Sequence, residues 1–222
     1  SGAVTLPFPV ALGGSDYRHA YVGNNGFVTF ASVLDDYAPV EGYFYDATGN
    51  PIVAPFFSDV DTRDAATNPV TYGVGTLGTF GTPWDGRSAL CVNYANVGAY
   101  ELGVDGDNAQ VLLVDDGSGG FDIVMNYDAI VWDQSGSAAV GFGNGDGQGF
   151  ILPGSFTDGA FLDSGRFSLK SASSNAEVAG RYAYAVRAGV AVGVLPSFLS
   201  TPGFGSAGDE VVLSGTGLDG AL

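Results

Sequence analysis

The stretch PIVAPFFSDVDTRD, residues 51–64, sets Asp59, Asp61 and Asp64 behind a compact apolar run, with Arg63 among them. Carboxylates at alternate positions of an extended chain project to one side about 6–7 Å apart. That spacing suits three chemistries: a carboxylate pair for hydrolysis, oxygen ligands for a hard cation, or local hydrogen bonds that end a strand. Two further clusters offer oxygens, Asp105 with Asp107 in VDGDNAQ and Asn144 with Asp146 in GFGNGDGQG. Calcium, which takes about six to eight oxygens in flexible geometry, is the cation expected at Asp59, Asp61, Asp64, Asp105, Asp107, Asn144 and Asp146. No EF-hand loop is present, because Arg63 occupies the fifth position of the first cluster and Val70 the twelfth. GNGDG occurs once, whereas the calcium-binding nonapeptide architecture needs stacked copies.

Nucleophilic catalysis lacks its parts. The single histidine, His19, stands beside Arg18 in an alternating stretch and reads as a strand-face residue, and the single cysteine, Cys91, reads as a buried free thiol in SALCVNYANV. Together they make no zinc ligand set, and no phosphate-cradling G-x-x-x-x-G-K occurs. FLDSG, residues 161–165, matches the hydrophobic-Asp-Ser-Gly signature of aspartic proteases. Those enzymes share a proton between two such carboxylates, and the motif occurs once, so it reads as a turn. A carboxylate-only hydrolase built on Asp59 and Asp61 is the one enzymatic reading left.

Seven basic residues against twenty-four acidic give a formal net charge of −17. Such a surface repels phosphate backbones and anionic membrane faces, which argues against nucleic acid as a partner. No apolar run is long enough to span a membrane, and the start SGAV lacks the regions of a signal peptide. The single lysine, Lys170, fits the composition of secreted bacterial surface proteins.

Thirty-six glycines, ten prolines, eleven tyrosines and fifteen phenylalanines describe aromatic-rich strands joined by many turns. Strands are predicted near Tyr17–Val22, Gly26–Phe30, Ile52–Phe57, Val70–Val74 and Ser88–Tyr94, then at AQVLLV, FDIVMNY, AAVGFG, GRFSL and RYAYAVRA. The turn GNNG joins the first two, and DDGSGG makes a hairpin of the runs on either side of it. The fold class is therefore mostly β: an antiparallel β-sandwich with short helical or irregular insertions and a C-terminal extended strand segment. Residues 1–15 form an N-terminal strand or extension, 16–188 the main domain, and 189–222 a linker with a partial further segment.

The order of motifs carries more than any one of them. VGNNGFVTF, PIVAPFFSDVDTRD, VTYG, CVNYANVGAY, NAQVLLV, FDIVMNYDAIVW, AAVGFGNGDGQGFILPGS and SSNAEVAGRYAYAVRAG follow one another along residues 16–188. This succession resembles the nidogen-like extracellular domain, NIDO, which occurs in basement-membrane nidogen, membrane mucins and many secreted bacterial proteins. The resemblance implies a mostly-β, secreted or cell-surface module for adhesion, matrix assembly and protein–protein contact, without enzymatic activity. Two departures, Asn93-Tyr94 in a strand that commonly carries tryptophan and NAQ for Asn-x-Phe-Gln, bear on partner contacts more than on fold. The tail, TPGFGSAGDEVVLSGTGLDGA, resembles the opening of an immunoglobulin-like IPT/TIG domain.

The function expected is an extracellular adhesive or structural module binding other proteins or copies of itself, with a filament or matrix built by β-strand addition. The alternative is a calcium-stabilised domain for glycan or another ligand, with Tyr43, Phe44, Tyr45 and Trp84 stacking on sugar faces.

Overall fold

The computed structural model describes residues 2–101, 106–134, 136–173, 176 and 178–187, and the backbone of 190–194, 199–201 and 212–214. Alternation dictates the first strand, β1 (Ala3–Leu12): Val4, Leu6, Phe8, Val10 and Leu12 are buried while the residues between them face outward. Pro7 and Pro9 cannot donate to a ladder, and the pairing with β2 (Ser15–Gly23) slips between Thr5 and Val10. Next come β3 (Phe27–Thr29), a single helical turn α1 (Gly42–Tyr45), β4 (Ile52–Phe57), β5 (Val60–Asp61), β6 (Thr71–Thr76), β7 (Ser88–Ala99), β8 (Asp107–Asp115) and β9 (Phe121–Ala129). The last strands are β10 (Ala139–Gly143), β11 (Gly149–Ile151), β12 (Arg181–Arg187), β13 (Val190–Val194), β14 (Leu199–Thr201) and β15 (Val212–Ser214).

Two sheets, paired antiparallel throughout, form the sandwich. One runs β1-β2-β3-β4-β10-β11, the other β13-β12-β9-β8-β7-β5 with β6 also on β7; β14 and β15 pair with each other. β1 packs across the second sheet, close to β6 and β7 at one side and β13 at the other. The inner faces meet in one core containing Phe8, Phe56, Tyr94, Met125, Trp132 and Tyr184. Each outer face carries a smaller apolar cluster. Phe44 of α1, with Phe27, Ile52 and Phe57, covers the first sheet, and Trp84, with Val114 and Val124, covers the second. Being covered on both faces explains why β4 is an unbroken apolar run rather than an alternating one.

GRFSL, residues 165–169, does not form the predicted strand. Its backbone bonds are local, from Gly165 to Leu162, Phe167 to Ala160 and Ser168 to Gly165, so turns replace a ladder.

The chain changes sheets between β4 and β5, and a clamp holds that corner. Asn25 accepts from the Val60 amide at 3.0 Å and donates to the Asp36 carbonyl at 2.9 Å, while Asn24 donates to the Val60 carbonyl at 3.0 Å. The turn's backbone joins in: Ser58 N–H donates to the Asn25 carbonyl at 3.1 Å and Phe56 N–H to the Gly26 carbonyl at 3.3 Å. Gly26 has φ +83°, and any Cβ there would collide with the Phe56 carbonyl. Two buried tyrosines pin the sheets together behind the corner. The Tyr94 hydroxyl lies 3.0 Å from the Phe27 carbonyl, and the Tyr127 hydroxyl donates to the Pro55 carbonyl at 2.6 Å.

Asp107 opens β8 and ties it to the segment after β9. One carboxylate oxygen accepts from the Val131 and Trp132 amides at 2.7 and 3.2 Å; the other is buried without a hydrogen-bond partner among the described residues. Burial pushes this carboxyl up to about 8, outweighing the two amide donors, with Asp133 and Asp163 adding to the rise. At neutral pH a proton neutralises it.

Two outcomes are expected. Asn25→Ala deletes two hydrogen bonds at the corner and lowers the unfolding free energy in urea by about 2 kcal/mol. Asp107 has a folded pKa above its unfolded value, so its stabilising protonation is complete below about pH 4 and lost as pH rises through about 8. Asp107→Asn removes that dependence: its melting temperature gains on the parent chain between pH 5 and 9, and parallel melting curves across that range would contradict the assignment.

Candidate functional site

The acid block lies on the corner and is largely occupied by its own structure. Asp61 takes Arg63 bidentately, from Nε at 2.9 Å and from the terminal nitrogen at 2.6 Å, and also accepts the Arg63 backbone amide at 2.9 Å. These bonds lower its carboxyl to about 2. Arg63 in turn lies 5.5 Å above the Tyr100 ring. Asp64 accepts the Ala66 amide at 2.8 Å and closes a turn. Asp59 is half-buried, and its carboxyl is raised by burial and then by Asp61 and Glu101; its backbone carbonyl accepts from Tyr100 at 3.0 Å, extending the β5–β7 pairing.

The other oxygens predicted for calcium are dispersed. Asn144 is buried in the β10–β11 turn and accepts the Gln148 amide at 3.2 Å, and Asp146 accepts the same amide at 3.1 Å. The glycines of GFGNGDGQG have a packing reason: a Cβ at Gly143 or Gly149 would strike the Phe44 carbonyl of α1. Asp107 stands apart at the start of β8, and Asp105 lies outside the described residues. Among the described residues, no three His, Cys, Asp or Glu side chains gather as a metal-holding group. FLDSG is a turn in which Asp163 accepts the Ile130 amide at 2.9 Å and pairs with Lys170.

The aromatics predicted for sugar stacking divide. Phe44 and Trp84 are buried in the two outer clusters. Tyr43 bonds Asp36 and stacks on Phe57, and Tyr45 is partly exposed.

What motif reading does not find is the rim beside the acid block. In the β6–β7 register, Tyr72 stands opposite Val92 and Val74 opposite Leu90. Directly paired residues share a face, so Tyr72 and Val74 point the same way as two fully buried core residues. Yet they are 57% and 51% exposed, because β1 of the opposing sheet comes near β6 but leaves a cleft there instead of covering it. Next to them opens a cleft of about 490 Å³ lined by Val4, Val22, Val33, Asp35, Val70 and Tyr72 among others. Its far wall is the Asn24-Asn25 turn, so the clamp that shapes the corner also shapes the cleft. The signal available in sequence is faint: TYGVGT is an uncharged six-residue strand that alternates large residues with glycine.

These elements lie within the region that comparison with known proteins identifies. A family model described as the nidogen-like domain matches residues 18–188. Alpha-tectorin of Gallus gallus is 28% identical over 159 residues, covering 64% of this chain and 7% of that protein. Alpha-tectorin of Mus musculus is 29% identical over 159 residues with the same coverage. The chain thus spans about 7% of the length of these relatives. No solved structure matches. The ordered motifs, the sandwich they build and the family match over residues 18–188 agree: the chain belongs to the nidogen-like domain family.

Proposed function

We propose that this chain is a non-enzymatic extracellular module that makes protein–protein contact at the β6 rim, by addition of an extended strand to the β6 edge. A second copy of the chain is among the partners that fit. The nidogen-like domain is found in extracellular matrix proteins such as alpha-tectorin, which supports the setting. The observation that carries the site is the contrast between edges. β1 is blunted by Pro7 and Pro9, β11 spans three residues and β5 two, and β13, the other edge of the second sheet, is five residues long and lies close to β1. β6 is a six-residue edge without charge or proline, with Tyr72 and Val74 uncovered beside it. Such an edge offers unpaired backbone groups as a template for another strand.

Magnitudes set the expected strength. Covering the exposed halves of Tyr72 and Val74 contributes roughly 1 kcal/mol each, and one added strand buries less area than the 1,200 Å² or so of a stable interface. A single contact is therefore weak, and strength comes from repetition along a larger assembly. The acid block contributes position rather than reaction: Asp61 is committed to Arg63, and Asp64 to its turn.

A second reading, a calcium-stabilised ligand-binding domain, is favoured by one observation, the buried oxygen of Asp107 left unpartnered among the described residues. A cation there would do what the proton does. Because a ligand bound only by the native state raises stability, calcium would lift the melting temperature of the parent chain and leave Asp107→Asn unmoved. The reading in which a proton neutralises Asp107 expects the same temperature in millimolar calcium and in chelator.

For the rim, sedimentation velocity over about 10 µM to 1 mM is expected to show reversible self-association, weakened at least tenfold by Val74→Lys, which places a charge on the edge. A strictly monomeric parent chain across that range would overturn the self-association, and equal behaviour of Val74→Lys would overturn the site.

A further inference from the structure

The outer face of the second sheet carries a polar row that neither the fold nor the proposed contact uses. Register places Asn93 opposite Gln110, Gln110 opposite Asn126 and Asn126 opposite Arg181, one residue from each of four adjacent strands. The side chains are bonded in series. Gln110 donates to Asn93 at 2.6 Å, Asn126 to Gln110 at 2.9 Å, and Arg181 Nε to Asn126 at 2.7 Å. Each is thereby fixed in orientation, which spares the entropy a ligand would otherwise have to remove.

Beside this row runs a groove of about 310 Å³. Its floor is Cys91, Leu112 and Val124, and its outer wall is the 77–87 loop carrying Phe80 and Trp84. Phe80 is 76% exposed, at the groove's mouth. Arg181 lies with its guanidinium carbon 5.9 Å from the centre of the Trp84 ring. Of the acids on this face, Asp122 is paired with Arg187 at 2.6 Å and accepts from Trp84 Nε1 at 2.8 Å, while Asp128 lies outside the groove, in the adjoining hollow beside Asn126. Among the described residues Arg63, Lys170 and Arg187 each pair with a carboxylate, whereas Arg18, Arg87, Arg166 and Arg181 do not, and of these four only Arg181 lines the groove. In a chain of net charge −17, a held cation without a counter-charge among the described residues, set in a shallow groove, is a feature that asks for an anion.

We propose that this groove binds a saccharide unit bearing a single carboxylate. The Arg181 terminal nitrogens take the carboxylate, the Gln110 and Asn126 amides take hydroxyls, and the Phe80 ring covers the apolar face of the sugar. Three features select this class. The volume holds one or two sugar rings. The row offers alternating donors and acceptors at the strand spacing of about 4.8 Å, which suits hydroxyls spread around a ring. The net charge of −17 rejects a polyanion and tolerates one acidic unit. The site lies on the outer face of the second sheet, away from the inward-facing side chains of the β6 rim, so the two proposals stand or fall separately.

The test is a titration of the isotope-labelled chain followed by its amide and Arg Nε–H resonances, with sialyllactose, with lactose, and with an acidic tripeptide, each to about 10 mM. Sialyllactose is expected to shift the side-chain amides of Gln110 and Asn126 and the Arg181 Nε–H. Lactose is expected to bind at least about tenfold more weakly, for lack of the charge-assisted pair. Arg181→Gln should weaken sialyllactose by about tenfold or more, and Phe80→Ala, which alters an exposed ring and leaves the sheet intact, by several-fold. No shift with sialyllactose, equal binding of lactose, shifts confined to other faces, or an acidic tripeptide bound as tightly as sialyllactose would each overturn the proposal.

Discussion

The corner between β4 and β5 is the constraint on which the rest depends. A strand that leaves one sheet of a sandwich and enters the other must turn without stranding its backbone donors. Here the Asn24-Asn25-Gly26 turn supplies the missing partners, with the Asn25 side chain bridging Val60 and Asp36 and the glycine allowing the Phe56 carbonyl to approach. Because β5 is fixed against the Ala99 end of β7, the Ser88–Asn93 stretch of that strand is left to β6. The rim, the cleft beside it and the acid block are consequences of that division.

The acids illustrate how position decides chemistry. Three carboxylates within six residues have three different fates: Asp61 is held ionised by Arg63, Asp64 closes a turn, and Asp59 is half-buried with its carboxyl raised. Asp107 differs again, with a burial that favours its neutral form. A net charge of −17 sets the long-range field, but at close range each acid answers to its own neighbours. Among the described residues three of the chain's seven basic side chains, Arg63, Lys170 and Arg187, are paired with carboxylates, and of the other four Arg181 is the one that lines the outer groove.

Much of the sandwich is legible in sequence because its strands are either alternating or unbroken apolar runs. Ile52–Phe57 is found at its predicted bounds, and the runs around DDGSGG form the predicted hairpin of β8 and β9. The N-terminal extension is a full strand whose alternation is plain in AVTLPFPVAL once Pro7 and Pro9 are read as edge residues. GRFSL misleads because its apolar residues serve a turn-rich segment packed by local bonds. The sites are less legible, for geometrical reasons. The exposure of Tyr72 and Val74 depends on the cleft that β1 of the opposite sheet leaves at β6, and the Asn93–Gln110–Asn126–Arg181 row depends on the register of four strands. Neither is a property of any local stretch. The motif glycines and asparagines, by contrast, are visible in sequence, but their work at the corner and beneath Phe44 appears only when the partners are in place.

The central claim is that β6 is the strand that accepts a partner, and hydrogen exchange tests it at the backbone itself. Amides of residues 71–76 that face away from β7 have no ladder partner in the isolated chain, so they exchange quickly at low protein concentration. If another strand adds to this edge, their protection rises with concentration while that of β1 and β11 stays constant. Protection of residues 71–76 that is unchanged from dilute to millimolar chain, or a rise confined to another edge, would contradict the account.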